Sequence, residues 1–428
     1  MTTPDALTLE ILRNAVKTAA AFRCRRRLQP AGGEGDKVFP PTFAGAVYAI
    51  EKRRVAGREG AVQCVLLDSV QSQANRMEQA LQDAIDADKG DAKKNDTNRL
   101  WVPHVVVDFS DNDPKDGGSE QQDKLIEAVG KVTSLQVPHR LADAIVRDSD
   151  MNGTRFRDSE KGKQLNRVSV ANATPLFEMC PTALVFGMWD STGPKGGLGP
   201  KFERAMVSEV VGIGAEWHED YRARGVRRDP LEARAAVKVI KNADKSWRMA
   251  QGQEKNGRKV WESGATEPSK INHSSVPFDS KNSGVTIEYA EQTTTLSLIV
   301  LRKLRFPING GGTQDRDVAA HTVLAALGLA AATLAFESGM GLRSRCLLWP
   351  DGPMTWELLD KPGQAPKPFA VSGDQALEIL KQAVAAAKIA ELPWPEAAVA
   401  LKPSRDLIKL VRRSQLEATK EEADTGGK

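Results

Sequence analysis

An α+β fold is what three features of this 428-residue sequence predict. Short apolar runs of strand length are mixed with helix-period segments, in no regular βα alternation. The composition, 40% hydrophobic and 27% charged, is that of an ordinary globular chain long enough to bury a core without metal or disulfide staples. Long polar stretches interrupt the pattern, as insertions into one core would. The length allows two or three domains, or one domain so interrupted.

Taken in order, residues 5–28 read as an amphipathic helix ending in Arg23, Arg25, Arg26 and Arg27. A Gly-rich loop, AGGEGDKVFPPTFAG (31–45), leads to a short strand at 46–54 and a turn. AVQCVLL (61–67) is a continuous apolar run of strand length. Asp68 and Ser69 are good capping residues for a helix over 68–88, in which Met77, Ala80, Leu81, Ala84 and Ile85 share one face. WVPHVVVDF (101–109) reads as a strand between polar loops, and 121–149 as two short helices around VPHR. TALVFGMWD (182–190) reads as a buried strand followed by the turn STGPKGGLGP. FERAMVSEVVGIGAEW (202–217) fits a helix or a strand equally. Residues 242–284 are a polar arm with isolated Trp247 and Trp261. A long strand or strand pair is expected in 284–306, an Ala-rich helix after NGGGTQDRD, a strand at SRCLLWP (344–350), a last amphipathic helix at 373–393, and a frayed charged tail at 416–428.

Net charge is only +4, which excludes a uniformly basic coat for duplex DNA. Its distribution is uneven. Between Arg13 and Arg58 there are eleven Lys and Arg against three acids, a net +8, leaving −4 elsewhere. The four scattered cysteines form no CxxC pair, which suits a reducing cytoplasm and excludes the common zinc patterns. The apolar stretch Val318–Phe336 carries eight alanines among its 19 residues and reads as a core helix rather than a membrane span.

Hydrolytic and redox motifs are missing from the sequence. There is no GxxxxGK[ST] loop, no HExxH and no GxSxG elbow. The glycines of GGLGPKF (196–202) read as a hairpin turn, and Cys180 as a core thiol at a strand start.

Polar chemistry concentrates elsewhere. VLLDSVQSQANRMEQAL (65–81) packs Ser69, Gln71, Ser72, Gln73, Asn75 and Arg76 into the opening of a helix. Neutral hydrogen-bonding side chains beside free helix-start amides suit a phosphate and ribose backbone; a well-capped helix with a solvated face fits the same residues. Arg23 to Arg27 and Lys52, Arg53 and Arg54 flank the Gly-rich loop leading into that helix, as an electrostatic patch would. A third cationic group is His139, Arg140, Arg147, Arg155 and Arg157. Aromatics are 5% of the chain, which disfavours a binder that stacks every base.

With HRLADAIVRDS (139–149), PTALVFGMWDS (181–191) and GLRSRCLL (341–348), the 65–81 motif resembles a known family. It looks like the backbone subunit of the type I-U (I-G) CRISPR Cascade effector complex, the Cas-seven-like branch of the RAMP superfamily. The resemblance runs from about residue 28 to 410. It implies a modified RRM, ferredoxin-like palm (1–88, 181–241 and 285–415), a helical fingers insertion (89–180) and an extended thumb (242–284). It further implies several copies along one guide CRISPR RNA, and pairing of target DNA through the guide. Contacts with the large subunit and with the guide-end-binding, processing subunit follow. No membrane and no cofactor are implied, and a cytoplasmic location is expected. The Ser/Gln segment carries over as the guide-phosphate contact at Ser69, Gln71, Ser72, Gln73, Asn75 and Arg76. Related proteins have Lys or Arg where this chain has Gln73 and Asn75, so charge must come from the 23–27 and 52–54 clusters. Two alternatives stay open. One is guide-dependent target-RNA cleavage of the type III kind, using Asp36 beside Glu34. The other is a structural protein that assembles without RNA.

Overall fold

The computed structural model describes residues 4–43, 47–89, 100–114, 124–216, 237–242, 246–255, 258–271 and 284–425. The chain is α+β and divides into two compact units. The first is drawn from 1–111, 130–216 and 284–404, the second from 112–129, 217–283 and 405–428.

A ten-stranded sheet organises the first unit. Its strands are β1 (Asp5–Ala6), β2 (Ala21–Pro30), β3 (Ile50–Arg54), β4 (Ala61–Asp68), β5 (Met206–Ile213), β6 (Tyr289–Ser297), β7 (Met340–Arg343), β8 (Cys346–Pro350), β9 (Thr355–Leu359) and β10 (Lys367–Ala370). They run in the order β1-β10-β9-β2-β6-β5-β4-β3, with β8 paired to both β2 and β7. The main helices are α1 (Leu9–Thr18), α2 (Val70–Lys89), α3 (Thr182–Phe186), α4 (Leu298–Arg302), α5 (Gln314–Glu337) and α6 (Gly373–Ile389). From β2 across to β3 every neighbouring pair is antiparallel.

One sheet face carries the core. Phe22, Cys24, Arg26 and Leu28 of β2 point into it, as do Met206, Ser208 and Val210 of β5 and Gln292, Thr294 and Leu296 of β6. The helix α5 lies there. A Cβ on its Gly328 would meet Met206, Leu296 and Val185 at 3.2–3.3 Å, so the missing side chain lets the helix approach the sheet. Some nine-tenths of its most apolar window is buried inside the protein, which is the core helix expected from its alanines.

Two expectations along the first unit are corrected. The helix read over 5–28 stops at Thr18, and 21–30 is the central strand β2. Its Arg run hides a period of two, because Arg23, Arg25 and Arg27 face outward while Arg26 turns in with Cys24 and Leu28. The buried strand read over 182–190 opens instead as α3, which ends at Gly187 (φ +83°); only Met188–Trp189 is strand, hairpinned to Lys201–Phe202. A short, wholly apolar run carries no period to separate helix from strand. Cys180 accordingly sits between two helices rather than at a strand start. It is fully buried, and burial pushes its thiol up. The undecided 202–217 segment is the strand β5, and the 284–306 run is β6 followed by α4, capped by Ser297.

The segment read as helical fingers is of mixed structure. Val105–Asp108, Lys131–Thr133, Ser149–Met151 and Thr154–Arg155 join Val399–Pro403 in a second, five-stranded sheet, with short helices following VPHR. Residues 90–99 and 115–123 of that segment lie outside the described residues, as do 243–245, 256–257 and 272–283 of the arm. In the second unit, Val239–Lys241 pairs with Trp247–Met249 and Gly252–Lys255 with Arg258–Trp261. Arg248 holds Glu262 in a two-pronged ion pair at 2.7 and 2.9 Å, which lowers the carboxyl to about 2. The tail read as frayed is helical as far as Thr425, in a helix that begins at Arg405.

Candidate nucleic-acid interface

The outward face of the sheet collects part of the basic segment. Arg25, Arg53 and Arg54 line a shallow pocket with Glu209 and Tyr289. Arg23, Arg25, Arg27 and Arg53 each have an acid brought from a segment distant in sequence. Arg23 pairs with Glu357 at 2.8 Å, Arg25 with Glu291 at 2.7 Å, and Arg27 with Asp351 at 3.4 Å. Arg27 also stacks on the Tyr289 ring, 4.1 Å from its centroid. Arg53 donates to Glu209 at 2.7 Å, a bond that together with Glu51 holds it firmly charged. Half-exposed pairs of this kind contribute about 0–1 kcal/mol each; their larger effect is to cancel the patch. Lys52 and Arg54 are exposed.

Arg26 does not join them. It is 9% exposed, its guanidinium lies over Phe336 of α5 at 5.2 Å, and burial lowers its pKa. Its Nε and Nη1 have no hydrogen-bond partner among the described residues.

The opening of α2 is built differently. Ser69 Oγ accepts the Ser72 amide at 3.3 Å, as an N-cap should. Asp68, 1% exposed, accepts from Gln73 Nε2 (2.7 Å), Arg76 Nε (2.9 Å) and Arg343 Nη2 (3.2 Å). Gln73 is buried too. Its Oε1 accepts from Ser208 Oγ at 3.0 Å and Gln292 Nε2 at 2.8 Å, which fixes α2 to β5 and β6. Arg76 spends its other donors on the carbonyls of Gly341 and Leu342. Gln71 donates to Asn75 at 3.0 Å and accepts from the exposed Arg204 at 2.8 Å. Ser69, Gln71, Ser72, Asn75 and Arg76 therefore stand at an accessible polar mouth, whereas Gln73 is withdrawn from it.

Residues 22–217 match a family model described as CRISPR-associated protein GSU0053. Over that stretch, a little under half of its length, the chain is similar to this CRISPR-associated family. No curated protein matches it. The matched stretch holds nearly all of β2, the Gly-rich loop, α2 and the 139–149 and 181–191 motifs; GLRSRCLL lies beyond it.

The third cationic group falls apart. Arg140 is 3% exposed and forms a two-pronged pair with Glu78, both bonds 2.7 Å, while donating to the Gly187 carbonyl. Its positive φ of 53° is held by that burial, and it locks α2 to the 139–149 segment. Burial works to raise the Glu78 carboxyl, against the pull of Arg140. Arg157 is taken by buried Asp190, and Arg147 by Asp148. His139 and Arg155 are exposed.

Arg204, Arg343, Arg345 and Phe39 are groups that sequence reasoning missed. Arg343 and Arg345 lie in GLRSRCLL, so the signal was present as a motif without an assigned role. Asp36 is exposed on the Gly-rich loop, its carboxylate over Gly32 and accepting the Lys37 amide at 2.9 Å.

Proposed function

We propose that this chain is a CRISPR-associated protein, the guide-RNA-binding backbone subunit of a type I-U/I-G Cascade complex. Several copies would line one guide, and the guide would pair with target DNA in antiviral defence. The observation that carries the reading is the mouth of α2. A capped helix start with accessible Ser, Gln and Asn side chains is ringed by Arg76, Arg204 and Arg343. Helix-start amides and guanidiniums of this kind suit a sugar-phosphate backbone.

The RRM-like palm is supported by strand order. In chain order β2-α2-β5-β6-α5-β8, the sheet places the fourth strand beside the first, then the third, then the second. That is the βαββαβ arrangement of a ferredoxin-like palm, and β3 and β4 are a hairpin added at its edge. On this reading the hairpins of 239–261 belong to the thumb. Neighbouring copies, the large subunit and the guide-end-binding subunit are the partners, in the cytoplasm. The subunit is not a nuclease.

Recombinant protein should co-purify with RNA of guide length and form elongated assemblies. The check is the 260/280 absorbance ratio with sequencing of the extracted nucleic acid. A nucleic-acid-free monomer in the presence of guide would sink the reading. Loss of target-RNA cuts in Asp36→Ala would instead favour the cleaving alternative.

A further inference from the structure

Phe39 and Arg345 lie beside the mouth of α2. Phe39 is half-buried, and the Arg345 guanidinium covers its ring, 4.2 Å from the centroid. Arg345 is exposed, and among the described residues it enters no ion pair. It sits in the tight turn between β7 and β8 with φ at +57°, in the left-handed region. Turn chemistry alone calls for Gly or Asn there. The position therefore offers its side chain at a conformational cost, a pattern that points from an outlier to a role.

The pair is held rigidly. The Phe39 amide donates to the Arg345 carbonyl at 3.1 Å, and Arg343 Nη1 reaches the Phe39 carbonyl at 3.4 Å. Arg343 is in turn fixed by Asp68, which also holds Arg76. A planar cation on an aromatic ring is thus set next to the polar helix opening, with its other face turned away from the ring.

We propose that the Phe39–Arg345 pair is a stacking platform for one unpaired nucleobase. The inference rests on the guide-binding reading above and adds the two residues on which one base of the strand would stack. Every base presents a π-face, and unpaired bases stack on aromatic rings and guanidinium planes. A base held inside an A-form duplex has no free face to offer.

The test uses the purified full chain and a single-stranded RNA decamer carrying one 2-aminopurine, with the same decamer in a duplex. The wild type should bind the single strand with a change in fluorescence and bind the duplex at least about tenfold more weakly. Arg345→Gly relaxes the turn, so its thermal midpoint should hold or rise while single-strand affinity falls about tenfold and the fluorescence change is lost. Arg345→Lys keeps the charge and loses the plane, and should bind as weakly as Arg345→Gly. Wild-type affinity and fluorescence in Arg345→Gly, or full recovery in Arg345→Lys, would overturn the platform and leave guide binding standing. Failure of the wild type to bind either probe would overturn the guide-binding reading itself, and the platform with it.

Discussion

Gln71 and Gln73 are two residues apart and have opposite fates. Gln71 faces solvent with Arg204, and Gln73 is 3% exposed between Asp68, Ser208 and Gln292. A buried amide survives only if its partners are supplied, and two of these, Ser208 and Gln292, come from strands more than a hundred residues away. Arg140 is supplied likewise, by Glu78 and the Gly187 carbonyl, whereas buried Arg26 has its guanidinium over the Phe336 ring and leaves Nε and Nη1 without a partner among the described residues. His321 of α5 is a third case. It is bonded through Nε2 to the Leu304 carbonyl at 3.0 Å, and burial lowers its pKa from 6.5 to about 4. The folded state therefore holds it neutral where the unfolded chain would take a proton. Its contribution is complete above pH 6.5 and is lost as pH falls towards 4, to a total on the order of 3 kcal/mol. Urea midpoints across that window should drop in the wild type and flatten in His321→Phe, once both are corrected for the variant's own stability.

At the scale of elements, helices with a mixed period were legible, and pieces without one were not. The α2 and α6 helices stand close to their expected ranges because their apolar positions recur every three to four residues. β2 was hidden by its arginines, and α3 by having no polar residue after Thr182 to mark a face. α5 was found from composition alone, and its placement turns on Gly328. Gly328→Leu forces four more carbons against Met206, Leu296 and Val185, and overpacking of that kind typically costs about 1–3 kcal/mol. A thermal midpoint equal to the wild type's would show that α5 does not pack this closely.

Across the whole molecule, the +8 segment does not act as a +8 surface. Glu291, Glu357, Glu209 and Asp351 arrive from the acidic remainder and pair with its arginines across the sheet. Cations ringing α2 carry more of any phosphate contact on the proposed reading. Arg204→Ala should then lower the slope of log K against log salt for single-stranded RNA by about one. Arg25→Ala combined with Arg53→Ala should change it less, since those charges are already compensated. The opposite ranking in a salt titration would move the RNA to the outward sheet face.

The amino-acid order by itself determined the α+β class, the Ser/Gln opening of α2 and the resemblance to a CRISPR backbone protein, because local period, capping chemistry and contiguous motifs are properties of neighbours along the chain. Which arginines stay available was decided only by the tertiary structure. A charge is cancelled or buried by groups that the fold brings from elsewhere, and Asp68, Glu78, Glu291 and Glu357 are spread over nearly 300 residues of sequence before the sheet and its helices assemble them.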